Sequence, residues 1–135
     1  MPQSGPAGGG QLLRSANVLL VRDLPASAAY YRDALGFAFD RYWGEPPDFC
    51  MVWRDGHCVM LSRPADPSVI RPIPTVHPAV WDGYFWVADV DALFAEFASR
   101  GARIAHEPFV KPYGVREGVV LDPDGHHLAF GQDME

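Results

Sequence analysis

Five histidines, two cysteines and 17 acidic side chains are the groups of this sequence that could hold a metal ion or move a proton. Their spacing serves neither task well. His126 and His127 are adjacent, so on a strand their side chains leave opposite faces and cannot grip one ion. His77 falls in a proline-rich stretch, and no spacing joins His57 to His106. Cys50 and Cys58 match none of the zinc-ribbon or redox pairs in which two residues separate the thiols, and they are expected to be buried and free. Cys58 has no activating base or cation nearby in sequence, which leaves no identified nucleophile. His127 has two readings, a structural histidine hydrogen-bonded to Asp122 or a base working with it. Arg116, suited to planar anionic groups, reads either as a ligand contact or as a salt-bridged surface residue.

The elements that must position these groups follow from periodicity and turn residues. Ala16 to Val21 is an apolar strand, and Ala28, Tyr31 and Leu35 recur at helical spacing until Gly36. Strands are expected at Phe37 to Tyr42, Phe49 to Trp53 and His57 to Ser62, with Asp55-Gly56 turning between the last two. Five prolines between Pro64 and Pro78 mark a linker. The plan then repeats: a strand at Tyr84 to Val87, a helix at Val90 to Arg100 ended by Gly101, and strands at Arg103 to Pro108, Val115 to Leu121 and His126 to Gly131. Val21-Arg22-Asp23-Leu24 matches Val87-Ala88-Asp89-Val90, and Asp55-Gly56-His57 matches Asp124-Gly125-His126.

The expected fold class is therefore α+β, two βαβββ modules forming a curved mixed sheet around a cleft. Residues 1–13 are expected to be a disordered leader, and 14–132 a single domain with module 1 at 14–63, a linker at 64–80 and module 2 at 81–132. A net charge of -6 with no run of Lys or Arg argues against nucleic acid as a partner. No apolar stretch approaches the roughly 20 residues of a bilayer span, and the start lacks a secretory layout, so the expected location is cytoplasmic, away from membranes.

Val21-Arg22-Asp23-Leu24, Tyr30-Tyr31-Arg32-Asp33-Ala34-Leu35-Gly36-Phe37 and Asp122-Pro123-Asp124-Gly125-His126 together resemble the vicinal oxygen chelate superfamily, which includes glyoxalases, bleomycin-resistance proteins and ring-cleaving dioxygenases. The resemblance runs from Ala16 to Gln132. It implies that metal-dependent members would draw ligands from Ala16, Met60, Asp82 and Ala129, give or take one residue. Of these only Asp82 offers a donor suited to a divalent transition metal, so no metal and no other cofactor is expected.

Alternation outward from those positions puts Tyr84, Trp86 and His127 on one face, with Cys58, Met60, Trp53, Met51 and Phe49 facing them, and adds Arg116 if the last hairpin has matching register. The aromatic residues have an equally plain reading as core. The expected function is metal-independent binding of a small aromatic or cationic molecule by a homodimer, a sequestration role of the glyoxalase/bleomycin-resistance type. Two readings compete with it. One is a glyoxalase-like or dioxygenase-like enzyme acting on a small metabolite. The other is a metal-free enzyme using His127, Asp122 and Arg116.

Overall fold

The computed structural model describes residues 10–134. Module 1 comprises β1 (Ala16–Leu20), α1 (Leu24–Asp33), β2 (Tyr42–Trp43), β3 (Phe49–Arg54) and β4 (His57–Ser62). Module 2 repeats it with β5 (Gly83–Trp86), α2 (Val90–Arg100), β6 (Arg103–Val110), β7 (Val115–Leu121) and β8 (His127–Asp133). Each module folds into a four-stranded mixed sheet, in the order β1-β4-β3-β2 or β5-β8-β7-β6. The first strand of each runs parallel to the last, and the other pairs are antiparallel. Among the described residues no helix is long and apolar enough to cross a membrane.

The helices begin and end where local chemistry allows. Asp23 and Asp89 stand at matching N-caps, each carboxylate accepting from the backbone N–H three residues on and satisfying a donor the helix leaves orphaned. Gly101 closes α2 at φ 85°, a left-handed conformation that spares it the clash any Cβ would bring.

Both helices cover the same side of their sheets, and the buried core they make draws on both modules. A run of rings carries it across. Tyr31 meets Phe37 edge-on at 5.8 Å, Phe37 meets Phe85 at 6.3 Å, and Phe85 stacks on Phe130 at 4.9 Å. Phe130 then meets Phe97 at 5.1 Å and Phe94 at 6.0 Å, beneath α2. Gly118 makes this possible, since a Cβ there would lie 2.6 Å from the Phe94 ring.

Several expectations are corrected. The strand expected at Phe37 to Tyr42 shrinks to Tyr42–Trp43, with a single bridge from Ala38 to Trp53. Phe37 is drawn into the core, which takes the chain off the sheet's regular register. The proline stretch between the modules carries two single-turn helices, Pro67–Val69 and Ile73–Thr75. It is fastened at Ile73, whose N–H donates to Asp82 Oδ1 at 2.6 Å. Of the expected leader, residues 1–9 lie outside the described residues, while Leu12 and Leu13 are exposed.

Candidate functional site

With the helices on one side, each sheet leaves its other face open. On β3 and β4 that face carries Phe49, Met51, Trp53, Cys58 and Met60, because Cys50, Val52, Val59 and Leu61 alternate into the core. Met51 is paired across the strands with Met60, and Trp53 with Cys58. Val18, paired with Met60 from the other side, is 61% exposed. The open face of the second sheet carries Tyr84 and Trp86 on β5, His127 and Ala129 on β8, and Glu117 on β7. Trp81, Tyr84 and Trp86 form an aromatic row, with ring centres 4.7 and 5.1 Å apart.

The two faces meet in a crevice of about 300 Å³, walled by Ala16 and Cys58 from module 1 and by Tyr84 and Trp86 from module 2. Phe49, Met51, Trp53, Met60 and His127 do not line it and lie further out on the open faces. A larger cavity of about 380 Å³ opens on the helix side, floored by Phe37, Phe85, Phe97 and Phe130. At its rim Arg54 and Glu96 are joined by paired hydrogen bonds of 2.9 Å, and Arg54 also donates to the Leu35 carbonyl. The polar groups of that ion pair are spent on each other, so the smaller crevice is the better candidate site.

Arg116 does not reach it. Pairing of Arg116 with Gln132 and of Glu117 with Gly131 puts Glu117 on the open face and turns Arg116 toward α2, where it binds Asp91 at 3.0 Å. The pairing of His127 with Asp122 is likewise corrected, since His127 Nδ1 donates to the Gly125 carbonyl at 3.1 Å. Asp122 instead accepts from the Tyr31 hydroxyl and from the backbone of Asp124 and His126.

The positions that the family resemblance points to for metal ligands do not fit an ion. Ala16 and Ala129 have no donor and Met60 offers a thioether. Asp82, with a side chain only 4% exposed, spends its oxygens on the N–H groups of Ile73 and His127, at 2.6 and 2.8 Å, and stands 3.6 Å from His126 Nδ1. Among the described residues no three His, Cys, Asp or Glu side chains converge on a common point. The thiols are no substitute: burial pushes Cys50 up to about 11 and raises Cys58 as well, away from the thiolate form that binds metals or attacks carbon.

Sequence reasoning missed two polar clusters. One joins the modules, with buried His126 donating from Nε2 to the Leu20 carbonyl at 2.6 Å while Asp82 and Asp122 flank it. Burial works against charge on His126, but pairing with Asp82, the charge of Asp122 and the Leu20 carbonyl outweigh it and raise the imidazole to about 9. A group raised in the folded state stabilises fully below its unfolded value near 6.5, and the contribution fades as pH climbs through about 9. Burial raises Asp122, while for Asp82 the hydrogen bonds it accepts outweigh burial and lower it. Unfolding by urea should therefore show roughly 2 kcal/mol lost between pH 6 and 9, absent in His126→Gln. A flat wild-type profile would contradict the assignment.

The other cluster surrounds Glu117, which is fully buried. Its Oε1 accepts from the Tyr84 hydroxyl at 2.9 Å and the Tyr113 hydroxyl at 2.6 Å. Gly131 is the reason Tyr84 can reach, because a Cβ there would overlap the Tyr84 hydroxyl. Burial and then the Glu117 hydrogen bond push both phenols well above their ordinary range, so they remain donors. A glutamate alternating with Val115, Val119 and Leu121 was the sequence signal for this cluster.

Paired βαβββ modules, each a four-stranded mixed sheet with a helix on one side and an open face on the other, define a small α+β protein. Residues 14–130 match the Glyoxalase/Bleomycin resistance protein/Dioxygenase superfamily, and the chain belongs to it. No curated protein matches the chain. Among solved structures, a bleomycin-binding protein from bleomycin-producing Streptomyces verticillus, complexed with copper(II)-bleomycin, is 26% identical, with 94% of this chain and 100% of that one covered and a TM-score of 0.68. A bleomycin resistance determinant encoded on the transposon Tn5 is 19% identical over 92% of this chain and 100% of its own, with a TM-score of 0.71. TioX from Micromonospora sp. ML1 is 22% identical over 89% and 98%, with a TM-score of 0.68. The latter two likenesses concern the fold.

Proposed function

We propose that this protein binds a small aromatic molecule, without a metal, against the Tyr84–Trp86 row and the crevice beside it, and so sequesters it. The observation that carries this reading is the exposure of that row: Trp86 stays 48% exposed although it packs on Tyr84. An indole left half in water at the mouth of a crevice gains from a flat partner, and covering one ring is worth about 2–3 kcal/mol. The bleomycin-binding relative adds support, since its ligand is a small molecule. The lack of suitable donors at Ala16, Met60 and Ala129 favours holding over Lewis-acid chemistry.

The open faces also favour a homodimer, in which a second copy covers Val18, Met51 and Met60 and closes the crevice. Sedimentation at micromolar concentration should show a dimer, and monomer alone would remove that part of the reading. Binding is tested by tryptophan fluorescence during titration with bleomycin and a varied panel of aromatic compounds. At least one member should quench or shift the emission saturably, and Trp86→Ala should weaken its binding roughly tenfold. A silent panel, or one stoichiometric ion held after reconstitution with nickel, zinc or ferrous iron, would overturn the proposal.

A further inference from the structure

Glu117 is over-provided on one oxygen and unprovided on the other. Two phenol hydroxyls converge on Oε1, while Oε2, equally buried, has no hydrogen-bond partner among the described residues. The nearest cation, Lys111 Nζ, stands 3.9 Å from Oε2, beyond hydrogen-bond length, and 4.7 Å from the centre of the Phe109 ring. A buried carboxylate oxygen without a donor is costly. Lys111 is partly exposed and long, so it is a cover that can swing aside rather than a fixed partner. Tyr84 places this carboxylate beside the aromatic row, because the hydroxyl that donates to its other oxygen, Oε1, belongs to the ring packed against Trp81 and Trp86.

We infer that Glu117 Oε2 is the polar anchor of the ligand site and takes a protonated nitrogen, which displaces Lys111 while an attached aromatic ring lies on Tyr84 and Trp86. This deepens the binding function proposed above and rests on it. The ligand class is then an aromatic compound bearing an ammonium, amidinium or guanidinium group on a short arm. The two tyrosines hold the carboxylate in place, so the cation meets a preorganised acceptor and forms a charge-assisted hydrogen bond.

The test compares naphthylmethylammonium with its neutral isostere naphthylmethanol by calorimetry, on the full chain. The wild type should favour the ammonium about tenfold, the gain expected when the donor as well as the acceptor carries charge. Glu117→Gln keeps an acceptor for both tyrosines but removes the charge that favours the ammonium, and should bring that preference to within about twofold. Lys111→Met removes the competing cation and should widen the preference, a change of opposite sign that a merely structural carboxylate would not give. It also keeps the inference testable should Glu117→Gln fail to fold. Equal affinity for the two probes in the wild type, or a preference that survives in Glu117→Gln, would overturn the anchor and leave aromatic binding standing. Binding of neither probe would overturn both.

Discussion

Replacing Asp82 by alanine should destabilise the protein by about 3–5 kcal/mol, the range seen when one member of a buried charged pair is removed. Three contacts go at once. The Ile73 and His127 N–H groups lose their acceptor, and His126 loses the nearer of its two flanking carboxylates. With Asp82 gone, the chief support for a charged imidazole is removed, and His126 should give up its proton at lower pH. The penalty should accordingly be larger at pH 6 than at pH 9, where about half of the His126 charge is gone and the backbone contacts make up more of the loss. Urea titrations of wild type and Asp82→Ala at both values check this. A loss below about 1 kcal/mol, or one independent of pH, would show that the carboxylate is not the tie between linker, module 2 and His126.

Phe130→Ala should cost a similar amount, about 3–5 kcal/mol, for a different reason. Phe130 is 3% exposed and stacks on Phe85 while meeting Phe94 and Phe97 edge-on. Its removal leaves a void among three rings that α2 and β5 hold apart, and a rigid surround cannot collapse to fill it. Phe130→Leu keeps much of the volume and should recover more than half of the loss. Thermal unfolding of the two variants measures the difference; equal stability would mean that the ring run does not join the modules as described.

Local chemistry was legible in the sequence. The end of α2 follows from Gly101 as a left-handed stop, and Val115–Leu121 was read as it stands. The open-face set Phe49, Met51, Trp53, Met60, Tyr84 and Trp86 followed from alternation, which needs only the chain's own period of two. Arg116 failed because a face on β7 is fixed by its register with β8, and one residue of slip sends a side chain to the opposite side of the sheet.

The sequence by itself determined the duplicated plan, the helix caps, and which residues alternate toward the core within each strand, because these depend on neighbours a few positions apart. Only the tertiary structure decided that Asp82 takes the N–H groups of Ile73 and His127 and stands beside His126, that Asp122 takes the Tyr31 hydroxyl from the other module, and that Glu117 gathers Tyr84 and Tyr113. Side chains as far apart in the chain as Tyr31 and Asp122, 91 positions, become partners through how the modules pack, and no local period encodes that meeting.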